Sequence, residues 1–194
     1  MKKSLIIIVS IVLVAISIVS GAIPYIFEFA YNNTNEDKDL YLLCRISVVY
    51  NKDDFIIKYI PKFFNSDKSF GDDIQKDKFL SRYLNSVVKL DDFVEQQNAL
   101  KDTLVLFSSV ETAIPSCTNF IFDFYDRTGD LEKSKNFFEV LLAECGNLHF
   151  EYQNGVYIKY MQFLLECEDY KTFEKIKKER IDFLESNGMV TDNP

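Results

Sequence analysis

The chain of 194 residues contains no tryptophan, one histidine, six glycines and four prolines. So few glycines and prolines leave too little turn chemistry for the tight hairpins of a β-sandwich, and they favour helices joined by short links. The single histidine, His149, stands in a link between apolar stretches, and it has no sequence neighbours suited to a metal site or a Ser-His-Asp arrangement. The four cysteines, Cys44, Cys117, Cys145 and Cys167, lack the close C-x-x-C type of spacing that structural zinc sites use. No glycine-rich phosphate loop, nucleophile elbow or metal-binding helix motif occurs. The expectation is therefore a protein that is not an enzyme and carries no cofactor and no metal. Positive charge is also short: 22 Lys and Arg stand against 30 Asp and Glu, a net charge of −8. An acidic body repels phosphate backbones, so nucleic acid is not an expected partner.

Apolar and aromatic residues are what the chain has in quantity, with 18 Phe and 11 Tyr. The first apolar run extends from Leu5 to Ile23, broken only by Ser10, Ser17, Ser20 and Gly21, and follows Lys2 and Lys3. A helix of that length, rising about 1.5 Å per residue, just spans a bilayer core. Basic residues in front and the polar, acidic stretch 32–39 behind place the N-terminus in the cytoplasm and the body outside it. Residues 1–31 are thus expected to be a signal anchor and its flank in a single-pass membrane protein. The small residues Ser20, Gly21 and Ala22 keep open the alternative of a cleaved signal peptide and a secreted or periplasmic body. Residues 32–39 read as a polar linker, and 188–194 as a frayed C-terminus.

Between them, residues 40–187 carry a repeat. The pairs Asp54-Phe55, Asp92-Phe93, Asp130-Leu131 and Asp169-Tyr170 recur at intervals of 38, 38 and 39 residues. Each lies between two segments of helical apolar period, the aspartate placed to cap the second helix. The stripes include Leu40 and Leu43; Phe79, Tyr83 and Val87; Phe93, Leu100 and Leu104; Leu131, Ser134, Phe138 and Leu141; Tyr157, Met161, Leu164 and Leu165; and Tyr170, Phe173 and Ile176. Gly129 is suited to a left-handed turn before Asp130, Pro115 to the first turn of a helix, and Pro61 to shortening or kinking one. The predicted fold class is all-α, with helical hairpins at about 40–64, 78–107, 116–145 and 155–186.

Tyr125-x-x-x-Gly129-Asp130-Leu131-Glu132-Lys133-Ser134, followed by Phe137-Phe138, resembles the turn and second helix of a tetratricopeptide hairpin. The likeness is clearest over residues 118–145. Thr118 and Phe122 depart from that family's first-helix pattern, no proline closes the unit, and the period is longer than usual. The resemblance implies stacked hairpins whose first helices line a groove. The groove-facing positions would be Lys78, Ser81 and Asn85; Asn119, Asp123 and Asp126; and Ile158 and Gln162.

Cys117 and Cys145 lie equally far on either side of Leu131, so an antiparallel hairpin sets them side by side. In an oxidising compartment they are expected to form a disulfide that ties the hairpin's open end. The functional expectation is binding of a protein or peptide by an envelope adaptor or assembly factor. The alternative is an immunity or inhibitor protein that neutralises a toxin or enzyme in the extracytoplasmic compartment.

Overall fold

A left-handed residue followed by a capping aspartate starts two of the helices in a computed structural model that describes residues 10, 12–15, 21–66, 73–106, 113–146 and 150–189. Gly129 (φ 65°) precedes Asp130, whose Oδ1 accepts from the Lys133 N–H at 3.1 Å. Glu168 (φ 56°) precedes Asp169, whose Oδ1 accepts from the Thr172 N–H at 3.1 Å. Asp92 caps a third helix, accepting from the N–H groups of Val94 and Glu95 at 2.9 and 3.0 Å. Each carboxylate satisfies donors that the helix itself leaves unpaired. Asp54 does not act this way. Its helix begins at Asp53, with Lys52 at the capping position and Asn51 (φ 50°) as the left-handed residue before it. The first turn is therefore out of register with the other three by two residues, and Asp54 lies inside the first helical turn.

Among the described residues the chain is all-helical, without strands. The helices are α1 (Ile23–Thr34), α2 (Asp37–Val49), α3 (Asp53–Phe64), α4 (Asp73–Val87), α5 (Phe93–Leu106), α6 (Ala113–Thr128), α7 (Leu131–Cys145), α8 (Phe150–Glu166) and α9 (Tyr170–Ser186). They divide between two compact units, residues 1–86 and 87–194. The boundary falls inside the hairpin expected at 78–107.

In the first unit α1 packs on α2 and α2 on α3. Its core is Leu40, Leu43, Cys44, Phe55, Ile56, Tyr59, Ile60 and Phe63, joined by Phe79, Leu80, Tyr83 and Leu84 of α4. Phe63 meets Phe79 edge-on at 5.4 Å, and the Ser86 hydroxyl donates to Asp53 Oδ1 at 2.8 Å. Helix α1 occupies the stretch read as the anchor's flank and the start of the linker. Residues 24–31 and most of the supposed linker 32–39 are helical, interrupted only at Asn35 and Glu36, where Asn35 (φ 54°) turns the chain from α1 into α2. Glu28 on α1 accepts from Lys58 at 3.0 Å and from the buried Tyr59 hydroxyl, which ties α1 to α3. The tyrosine hydroxyl, and secondarily Lys58, hold the Glu28 carboxyl below the usual range.

In the second unit α5 packs on α6 and α7, α6 on α7 and α8, α7 on α8, and α8 on α9. A helix that touches both its successor and the one after it is the packing of stacked hairpins. Two adjacent phenylalanines on α7 explain the stack. Phe137 faces back, with ring centroids 4.9 Å from Phe93, 5.3 Å from Phe120 and 5.0 Å from Phe124. Phe138 faces forward, stacked at 4.6 Å on Tyr160 and 5.3 Å from Phe163. Polar neighbours repeat the division: Asn136 hydrogen-bonds Gln97 of α5, and Lys135 pairs at 3.1 Å with Asp169, the cap of α9. The expected stripes are otherwise inward, except that Leu165 (46 % exposed) and Tyr170 (61 %) face outward.

Among the described residues Tyr160 has the one buried side-chain polar atom without a hydrogen-bond partner, its hydroxyl. Burial pushes that phenol above its ordinary range. Tyr160→Phe keeps the stack on Phe138 and removes the unsatisfied group, so it is expected to stabilise the second unit by about 1 kcal/mol. A urea midpoint shifted upward at unchanged slope checks this, and a loss of stability would show that the hydroxyl has a partner in solution.

Candidate functional site

The seam between α6 and α8 is aromatic. Phe163 of α8 lies edge-on to Phe122 at 5.4 Å and to Tyr125 at 5.2 Å. Helical spacing puts Asn119 and Asp126 on the Phe122 stripe and Asp123 beside it, and all three are exposed. On α8, Ile158 and Gln162 are exposed on the neighbouring helix. Gln162 sits in a chain of side chains: it accepts from Lys159 at 3.2 Å and donates to Glu166 at 3.0 Å. Five of the eight sequence-predicted positions thus lie on two helices that pack together. The set Lys78, Ser81 and Asn85 belongs to the first unit, where all three are exposed on α4. There Lys78 and Ser81 line a hollow of about 490 Å³ with Val48, Asp77 and Arg82. His149 lies outside the described residues, as does Phe107, which continues the helical period of Phe93, Leu100 and Leu104.

The α6–α8 face is a ridge-and-stripe surface, with the carboxylates of Asp123 and Asp126 and the amides of Asn119 and Gln162 beside the apolar Ile158 and Leu165. Such a surface can recognise a segment carrying both cationic and apolar side chains. It has no buried titratable pair, and no group of three or more metal-ligating side chains occurs among the described residues.

A cavity in the second unit was not legible in the sequence. A hollow of about 340 Å³ is lined by Val88, Lys89, Leu90, Asp91, Phe93, Gln96, Phe124, Arg127, Thr128 and Lys133. Three cations line it, but Lys133 is held by Asp130 at 3.0 Å and lies over the Phe93 ring, while Asp91 brings a carboxylate of its own. Its walls come from the starts and ends of several helices, so no sequence window contains it. The Gln96 amide donates to the Leu90 carbonyl at 2.7 Å and fixes one wall.

All four cysteines are free thiols, so the expected Cys117–Cys145 disulfide is not formed. Both cysteines are fully buried. Burial pushes the Cys145 thiol up to about 12 and raises Cys117 as well. Burial disfavours the thiolate, the species that forms disulfides, and suits both side chains to an apolar filling role.

Among the described residues no helix is long and apolar enough to cross a membrane. Most of the run Leu5–Ile23 expected to do so lies outside them. No protein-family model matches the chain, and no curated protein or solved structure matches it.

Proposed function

We propose that this chain is a binding protein, not an enzyme, tethered by an apolar N-terminal anchor (residues 4–23) with its helical body on the extracytoplasmic side. The stacked packing of α5 to α9 supports the reading of tetratricopeptide-like hairpins. The observation that carries the function is the α6–α8 face, where Asn119, Asp123, Asp126, Ile158 and Gln162 are exposed on adjoining helices while the aromatic residues fill the seam. Its partner is a protein or peptide segment with basic and apolar side chains, as suits an envelope adaptor or assembly factor.

Cross-linking of the full-length chain in its native membranes, followed by affinity capture and mass spectrometry, tests the site. The double variant Asp123→Lys, Asp126→Lys is expected to lose at least tenfold of the captured partner. Lys177→Glu, exposed on α9, is expected to keep it. Equal capture by both variants removes the α6–α8 face from the binding account. A captured toxin or hydrolase, in place of an assembly component, turns the reading towards an immunity protein.

A further inference from the structure

Helix α1 exposes an apolar face that the packing of its unit uses only in part: the Tyr25 ring meets Phe55 of α3 edge-on at 4.9 Å, while much of Tyr25 and most of Ile26 and Phe29 stay uncovered. Tyr25, Ile26 and Phe29 are 51, 54 and 72 % exposed. At 100° per residue they occupy a single arc of the helix, opposite the buried Pro24 and the inward Glu28 and Tyr31. Beyond the apolar run itself, no other described helix exposes three large apolar side chains within two turns. Scattered exposed apolar residues are ordinary, but a contiguous face of two aromatics and an isoleucine needs a partner.

The place of this face in the chain says what the partner is. The apolar run Leu5–Ile23 ends where α1 begins. Gly21 (φ 64°) and Pro24 in the first turn separate α1 from what precedes it, so α1 is a new helix free to take its own direction. Lys52, from the turn between α2 and α3, lies over the Tyr25 ring at 5.7 Å, and its ammonium stands 3.6 Å from where a side chain on Gly21 would begin. Val49, 74 % exposed, ends α2 beside that turn. The polar Asn32 and Asn33 lie at the far end of α1. Aromatic and apolar residues directly after the run, with a cation beside them, are the residue types that a bilayer's edge accommodates. The headgroup layer is only about 5–8 Å deep on each side, whereas Phe29 is about 9 Å along the helix axis from Ile23. A helix turned at Gly21 to lie along the surface keeps all three side chains at one depth.

We propose that α1 is an interfacial helix, lying in the headgroup layer of the bilayer with its Tyr25–Ile26–Phe29 face towards the acyl chains and Lys52 at the level of the lipid phosphates. The assignment rests on the anchor reading given above, and the test separates the two. The absence of native tryptophan makes single-tryptophan variants clean reporters. Phe29→Trp, and Tyr170→Trp as an exposed control in the other unit, are made in the full chain and reconstituted into phosphatidylcholine vesicles containing phosphatidylglycerol. Both variants are expected to float with the vesicles. The tryptophan at position 29 is expected to emit to the blue of the control and to be quenched several-fold more by lipids brominated near the headgroup. A chain that floats while the two variants emit and quench alike leaves the anchor standing and overturns the interfacial helix. A blue emission without quenching by brominated lipid means that protein, a second copy or another chain, covers the face, and it also overturns the proposal. A chain that does not float removes the anchor and this assignment together.

Discussion

Phe138→Ala is expected to cost the second unit about 3–5 kcal/mol, the range for truncating a fully buried phenylalanine. Phe138 is completely buried and is the forward-facing half of the α7 contact, touching Tyr160 and Phe163 of α8 and, at 6.3 Å, Phe122 of α6. Alanine at this position opens a cavity where three helices meet, and the rings around it are themselves wedged by further partners, so collapse into the space is limited. A domain of this size is stable by only about 5–15 kcal/mol, so the variant sits at or near the edge of folding. Phe138→Leu, which keeps most of the volume, is expected to lose about 1.5 kcal/mol or less. Denaturant melts of the full chain, followed by far-UV circular dichroism, check both. An alanine variant within 1 kcal/mol of the parent would mean that α8 is not held through this ring.

That pair of rings also shows what the sequence disclosed and what it withheld. Periodicity marked Phe138, Leu141 and Ser134 as one inward stripe of α7, and all three are buried. It placed Phe137 and Phe138 next to each other but not on opposite sides of the helix's work, one towards α5 and α6 and the other towards α8. Only the neighbours' positions decide that. Capping was legible where the residues could be named from local chemistry alone, at Asp92, Asp130 and Asp169. It misled at Asp54, because Asn51 turns the chain two residues early and Asn, like Gly, tolerates the left-handed conformation. Helix α1 was hidden by its own composition: an apolar exposed face next to an apolar run reads as more of the run. The exposure of Leu165 and Tyr170 shows the limit of a stripe drawn by period alone, since both sit within a turn of the α8–α9 link, at the ends of their helices. For the candidate site, the spacing of Asn119, Asp123 and Asp126 on one helix face was readable, but the cavity around Arg127 and Lys133 depends on two turns distant in sequence, α4–α5 and α6–α7, meeting and was not.

The second large effect is expected at Asp169, which does two things at once. Its Oδ1 accepts from the Thr172 N–H, and its Oδ2 accepts from the Thr172 hydroxyl at 2.7 Å and from Lys135 of α7 at 3.1 Å. Asp169→Ala removes the cap, worth about 1 kcal/mol, and leaves the largely buried Lys135 with only the exposed Glu132 at 2.6 Å, so a total loss of about 2–3 kcal/mol is expected. Asp169→Asn retains a capping oxygen and isolates the charge, with an expected loss of about 1 kcal/mol. The pH dependence follows from the direction in which the carboxyl is shifted. The Thr172 side chain, its N–H and then Lys135 hold Asp169 below the usual carboxylate range in the folded chain. A depressed folded value means that the stabilisation is complete above the unfolded value of about 4 and is lost as pH falls through the folded one. The parent should therefore lose stability below about pH 4 more steeply than Asp169→Asn, and the two should converge in strong acid. The double variant Lys135→Met, Asp169→Asn closes the cycle. A coupling of about 0.5–1 kcal/mol at neutral pH is expected if the bridge from α7 to the start of α9 contributes to the stack, and additive single losses would assign Asp169 to capping alone.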